Sequence, residues 1–248
     1  MKHQFVKTSN YERFMKAYRA VEARGAMEAG MLFVEGDPGS GKSETVEGIA
    51  SQLDWVYLRA NVDWTPHYFM TELAKALGID KSGRAATLFE RCLENLTRRK
   101  FPTICVDEVQ YALRNGAEAL EKVRDFSDRT KSVVVLVAGE KGVWQRLSRH
   151  QQIATRVAQV VEIQLANARD ISEILKQKCE VAVAPDLVER VASESKGLMR
   201  LVMNAIPAIE HLAHANDLKT VTAKDAAGVP LCVDWQANRG SSLIVRGK

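Results

Sequence analysis

Apolar residues along the chain fall into two rhythms, one of three- and four-residue spacing and one of short unbroken runs. Phe14, Ala17, Tyr18 and Val21 keep the first rhythm and predict a helix over 11–24, with Gly25 as its stop. Residues 31–34 are an unbroken apolar run that ends in a glycine-rich turn, which predicts a buried strand, and 43–53 then reads as a helix. A second strand is predicted over 55–58. Thr65 as N-cap and Pro66 in the first turn open a helix that runs to Leu77 and stops at Gly78. Residues 85–98 form another helix, whose basic end at Arg98, Arg99 and Lys100 suits the negative end of the helix dipole. A third strand over 103–106 follows Pro102, a helix lies near 116–128, and the β-branched run 132–138 is a fourth strand. A fifth is predicted over 160–165; its Glu162 and Gln164 alternate with apolar neighbours, which suits a sheet edge.

Strands that alternate with helices of this length imply βαβ units and a parallel sheet. The first four strand runs lack polar alternation, as strands covered on both faces do. The fold class expected is α/β, with a five-stranded parallel sheet between helices. Beyond residue 165 the pattern turns helical, over 171–178, 186–194 and 198–215, punctuated by Pro185 and Gly197. Pro207 is expected to kink or break the last of these helices. The expected division is an α/β domain over 1–165, a small all-helical domain over 166–228 and a tail over 229–248.

Composition narrows the classes. With 46% apolar and 27% charged residues there is ample material for a core, which excludes a disordered chain. Lys and Arg number 35 against 31 Asp and Glu, a net charge of +4 that permits an acidic partner such as nucleic acid without requiring one. No apolar run approaches the roughly 20 residues of a membrane-spanning helix, and Met1–Phe5 has no apolar stretch behind it, so neither a membrane partner nor a signal peptide is expected. Cys92, Cys105, Cys179 and Cys232 form no C-x-x-C pair and read as buried thiols of a reducing compartment.

The strongest chemical signal is Gly36-Asp37-Pro38-Gly39-Ser40-Gly41-Lys42-Ser43, a complete G-x-x-x-x-G-K-[ST] placed after a strand and opening a helix. Its glycines let backbone N–H groups turn toward phosphate oxygens, and the helix N-terminus favours the same anion. Lys42 is expected to reach the β- and γ-phosphates of ATP, and the Ser43 hydroxyl to bind Mg2+. Glu44 completes the candidate nucleotide-contacting residues. The second signal is Ile104-Cys105-Val106-Asp107-Glu108, a buried strand ending in two carboxylates. Asp107 there supports the metal, and Glu108 orients or deprotonates the attacking water. A pure nucleotide-binding scaffold has no use for that second acid, so the pair indicates ATP hydrolysis. Arg156, which ends the segment after the fourth strand, is placed to leave the domain's edge and meet the γ-phosphate of a neighbouring copy, with Arg146 and Arg149 as rivals. Arg200 sits near a helix N-terminus, where the dipole disfavours a cation unless a phosphate is bound.

Phosphate loop, Asp107-Glu108, candidate trans arginine and Gly197-Leu198-Met199-Arg200 together resemble the AAA+ ATPases. Within that class, Thr65-Pro66-His67-Tyr68-Phe69, Val137-Ala138-Gly139-Glu140 and Gln152-Ile153-Ala154-Thr155-Arg156-Val157 resemble the transposition regulators of the Mu B, TnsC and TniB type. The resemblance implies an ATPase domain with a helical lid that carries Arg200, assembled as a ring or helical filament of its own copies on double-stranded DNA. It further implies target selection for a DNA transposase in the cytoplasm of a bacterial or phage-infected cell. DNA contacts would come from Lys81 and Arg84, after Gly78, and from Arg114, after the Asp107-Glu108 turn. The alternative is another AAA+ switch, secretion-associated or helicase-loader-like, acting on a protein partner. One departure stands out: the first-sensor position, usually polar and uncharged, matches Glu140, whose charge a γ-phosphate would repel.

Overall fold

The computed structural model describes residues 1–99 and 102–233. Lys100 and most of the expected tail lie outside the described residues. The chain divides into two units, Asn10–Gln164 and Met1–Ser9 with Leu165 onward.

In the larger unit the apolar runs become a five-stranded parallel sheet. Its strands are β1 (Met31–Gly36), β2 (Val56–Arg59), β3 (Thr103–Asp107), β4 (Val133–Val137) and β5 (Val157–Ile163), in the order β2-β3-β4-β1-β5. Every residue of β3 and β4 is buried, because helices cover both faces of the sheet. Met31, Phe33, Ile104, Val106, Val134 and Leu136 share one core with α3 (Pro66–Ala76), α4 (Ala85–Arg98) and α5 (Glu118–Thr130). The remaining helices are α1 (Ser9–Glu22), α2 (Lys42–Gln52), α6 (Val143–Leu147) and α7 (Gln151–Ala154). On α1, Tyr18 packs against Trp55 with ring centres 4.6 Å apart, and its hydroxyl meets Thr103 Oγ1 at 2.9 Å. Burial pushes that phenol up to about 12.

The expected elements are all present. Thr65 caps α3, its Oγ1 accepting from Tyr68 N–H at 3.1 Å. β5 is an edge strand, but it begins three residues before the expected start. Val157 and Gln159 pair with Met31 and Leu32 through backbone bonds, which do not require an apolar side chain. The register skips Ala158 at this point, a bulge.

The smaller unit carries α8 (Ala168–Lys178), α9 (Pro185–Ser195) and α10 (Met199–Ala215). It is not all-helical, because β6 (Ala182–Val183) pairs in parallel with β7 (Thr220–Val221). Pro207 breaks nothing: α10 runs through it. The ring sits on the exposed side, while Ala205, Ile206 and Ile209 anchor the flanking turns in the core, so packing outweighs one lost backbone bond. The first nine residues belong to this unit rather than to the sheet. Val6 joins its core, and buried Asp170 accepts from Ser9 N–H at 2.8 Å and Ser9 Oγ at 2.6 Å while closing a capping box with Asn167. The packed chain also passes the expected boundary at 229, since Leu231 is buried and Arg190 donates to the carbonyls of Ala226 and Val229.

Candidate active site

Parallel strands deliver their C-terminal ends to one edge of the sheet, and the chemistry collects there. β1 runs into the phosphate loop and β3 ends in Asp107. Registers through β4 set Val106 level with Phe33, so Asp107 stands beside the root of the loop.

The loop is built for close approach. Gly36 adopts φ +151°, and a Cβ there would collide with the Ile163 carbonyl of β5. Gly41 takes φ +90° as the N-cap of α2. Lys42, only 6% exposed, opens α2 and donates from Nζ to the carbonyls of Gly36 at 2.9 Å and Asp37 at 3.0 Å. Burial lowers its pKa, opposed by the carboxylates of Asp107, Asp37 and Glu108, all within electrostatic reach. Asp37 itself pairs with Lys141. Ser40 Oγ is buried and has no hydrogen-bond partner among the described residues.

Asp107 is fully buried. Its Oδ1 accepts from Glu108 N–H at 2.8 Å and its Oδ2 from the Tyr57 hydroxyl at 2.7 Å. Burial first, then the Asp107 carboxylate, raises the Tyr57 phenol far above its ordinary value. Glu108 turns out of the strand with φ 55°, a left-handed conformation that costs a non-glycine residue roughly 1–2 kcal/mol. Two side chains hold its carboxylate, and one of them is itself anchored. Arg59, at the end of β2, meets Oε1 at 3.2 Å; Gln110 donates from Nε2 to Oε2; and Gln110 Oε1 accepts from Gly139 N–H at 2.9 Å. The carboxylate lies so close over Gly139 that a Cβ there would come within 2.9 Å of Glu108 Cδ.

Tyr57, Arg59 and Gln110 were not evident from the sequence. Only Gln110 had a usable signal, its position two residues past Glu108 in a tight turn. Glu140, the expected first-sensor position, is exposed and pairs with Arg146, while the polar side chain that links Glu108 to the Gly139 N–H is Gln110.

The other candidates are dispersed. Arg156 stands at the opposite end of the sheet, where its carbonyl accepts from Met31 N–H at 2.8 Å. Its guanidinium pairs with Asp128 at 3.2 Å. Lys81 and Arg84 lie exposed on the α3–α4 loop, and Arg114 is exposed after the Glu108 turn. Arg200 is an exposed second residue of α10, in the smaller unit. Arg98 pairs with Glu94 and Arg99 with Asn95, the behaviour of a solvated helix end.

This donor set fits a nucleoside triphosphate with its divalent metal. A buried cation, an unpartnered buried hydroxyl and glycines at positive φ line one loop beside a buried carboxylate. The sequence pattern described as the AAA domain matches residues 24–147, half of the chain and the part that holds these groups. The chain belongs to the AAA domain family. Nucleotide hydrolysis is the general activity of such domains. No curated protein sequence matches the chain. Solved structures share the AAA fold at low identity. The Aeropyrum pernix ORC2 protein, solved with ADPNP and ADP, is 14% identical with a TM-score of 0.71, over 91% of this chain and 68% of that one. The Aeropyrum pernix ORC1 protein in complex with DNA is 17% identical, with a TM-score of 0.61, over 91% and 64%. The Thermotoga maritima RuvB Holliday junction branch migration motor is 19% identical, with a TM-score of 0.59, over 89% and 67%. The AAA chain here therefore spans about two thirds of the length of these proteins. Among the described residues no helix is long and apolar enough to cross a membrane.

Proposed function

We propose that this AAA protein is a Mg2+-dependent ATPase that assembles head-to-tail on double-stranded DNA, with little sequence preference, and selects targets for a DNA transposase. One observation carries the assembly. Loop, metal-supporting acid and water-orienting acid share one edge of the sheet, while Arg156 lies at the other, roughly 16 Å away along the five residue steps of β1. At that distance Arg156 cannot reach the γ-phosphate of its own copy, so the role assigned to it requires another copy and release from Asp128. ATP then becomes part of the contact between copies, and a head-to-tail contact that does not close gives a helical filament.

Within one copy, Lys42 exchanges its carbonyl partners for phosphate oxygens, and the N–H groups of Gly39 to Ser43, with Glu44 behind them, surround the same anion. Ser43 and Asp107 would hold Mg2+, which neutralises charge on the phosphates. Glu108 takes a proton from water as the water oxygen attacks the γ-phosphorus and the β–γ bridging oxygen leaves with ADP, and Arg59 and Gln110 fix the carboxylate for that transfer. Arg200 of the smaller unit is assigned to the nucleotide from its place at the start of α10.

Duplex DNA as the substrate is supported by the exposed cations Lys81, Arg84 and Arg114. It is supported further by the DNA named with the solved ORC1 protein and the Holliday junction named with RuvB. The transposase rests on the sequence resemblance alone. Negative-stain imaging with a slowly hydrolysed ATP analogue, with and without random-sequence duplex, tests the proposal. Continuous filaments that need both ligands are expected, and none from Lys42→Ala. Rings indifferent to DNA would overturn it in favour of a switch acting on a protein partner.

A further inference from the structure

Strand β2 supplies a partner to each of the two acids. Alternation along it turns Val56 and Leu58 into the core shared with α3–α5, which leaves Tyr57 and Arg59 on the opposite face. Register sets Arg59 level with Asp107 and Tyr57 level with Cys105, so the long phenol reaches forward along β3 to Asp107. Arg59 restrains Glu108, whereas the phenol touches no reacting group.

The Asp107 carboxylate needs a restraint. The terminal torsion of an aspartate is broad and roughly two-fold, so its own chain does not fix the plane of the two oxygens. Lys42 lies within electrostatic reach, and both groups are buried. Opposite charges in so dry a place attract strongly. They do not pair with each other. Lys42 Nζ donates to the Gly36 and Asp37 carbonyls, while Asp107 takes the Glu108 N–H on Oδ1 and the Tyr57 hydroxyl on Oδ2 at 2.7 Å. A carboxylate has roughly four lone-pair sites, and two donors placed this way leave one free on each oxygen.

We propose that Tyr57 is a positioning residue of the metal site: its hydroxyl fixes the plane of the Asp107 carboxylate, which keeps that oxygen pair off Lys42 and open to Mg2+. The inference rests on Asp107 as the metal-supporting acid and adds the group that orients it. Without the hydroxyl, Oδ2 turns to the Lys42 ammonium, and the two charges meant for the metal and the phosphates neutralise each other. Loss of an outer partner of a metal ligand costs about ten- to a hundredfold in metal affinity.

The test titrates a fluorescent ATP analogue against the protein over a series of Mg2+ concentrations, which reads binding and not turnover. Tyr57→Phe keeps the ring packing and should raise the Mg2+ concentration for half-maximal affinity roughly ten- to a hundredfold. Asp107→Asn should raise it as well. Tyr57→Phe added to Asp107→Asn should raise it by less than about twofold more, because both act through one group. Tyr18→Phe removes a second phenol hydroxyl bonded to β3, at Thr103, and should leave the Mg2+ requirement at wild type. A thermal melt of each variant sets the titration temperature below its transition, so loss of stability does not enter. Wild-type binding that ignores Mg2+, or an Asp107→Asn variant with the wild-type requirement, would overturn the metal role of Asp107 and this inference with it. A raised requirement in Asp107→Asn but not in Tyr57→Phe would overturn the inference alone. So would additive effects in the double variant, or an equal rise in Tyr18→Phe, since either marks a purely structural role.

Discussion

Replacing Gly139 by alanine should silence hydrolysis while sparing nucleotide binding. Gly139 does not need a left-handed backbone, so the added methyl group acts through space alone. Its Cβ would overlap Glu108 Oε2 and Gln110 Nε2 outright and sit 2.9 Å from Glu108 Cδ, where unstrained heavy-atom pairs rest at about 3.5–4.0 Å. The carboxylate must therefore retreat by more than about 1 Å, and the Gln110 amide with it. A shift of that size in a reacting group costs on the order of a hundredfold in rate. The Gln110 bond to Gly139 N–H is disturbed as well, a loss of about 1 kcal/mol. The reduced freedom of alanine in the unfolded chain offsets about 0.4–1 kcal/mol of that. Stability should then change by less than about 1 kcal/mol, or a few degrees in Tm for a chain of this size. Lys42 and the loop are untouched, so the dissociation constant for a fluorescent ATP analogue should match wild type. Single-turnover hydrolysis, nucleotide titration and a thermal melt on the same preparation check all three. Full turnover with wild-type affinity would refute the placement of Glu108 against Gly139, and with it the hydrolytic role of that carboxylate.

Other expectations concern single groups. Glu108→Gln should bind ATP yet hydrolyse it about a hundredfold more slowly, keeping assemblies in the ATP state; loss of binding, seen by equilibrium titration, would contradict its role. Tyr57→Phe removes the hydroxyl that satisfies buried Asp107 and should cost about 1–3 kcal/mol, read by chemical denaturation; no change would mean Asp107 gains nothing from that bond. Arg156→Ala mixed with wild type should lower turnover in proportion to mixed contacts, whereas Asp128→Ala, which breaks the same ion pair but keeps the arginine, should not. If the mixtures behave as independent copies, the finger passes to Arg146 or Arg149.

The phosphate loop and the Asp107-Glu108 pair were legible because each is a local arrangement: a strand, a turn and a helix adjacent in sequence. The strand order was not, since nothing local says that β1 lies between β4 and β5. The restraints on Glu108 come from three places far apart in the chain, at 59, 110 and 139, and meet only through the sheet. Pro207 misled because helix propensity is local whereas the burial of Ala205, Ile206 and Ile209 is not. The grouping of Met1–Ser9 with the second unit depends on Asp170, some 160 residues away, and no pattern within nine residues could signal it. Arg156 was legible as a position but not in its surroundings, because Asp128 reaches it from α5.

β5 has a mechanical meaning. One end carries Arg156, bonded through its carbonyl to the start of β1, and the other presses the Ile163 carbonyl onto Gly36. Seven residues of extended backbone, about 20 Å over six steps, thus form a rod between the two ends of the sheet. The register shift at Ala158 lies next to the arginine, at the end of the strand away from Gly36.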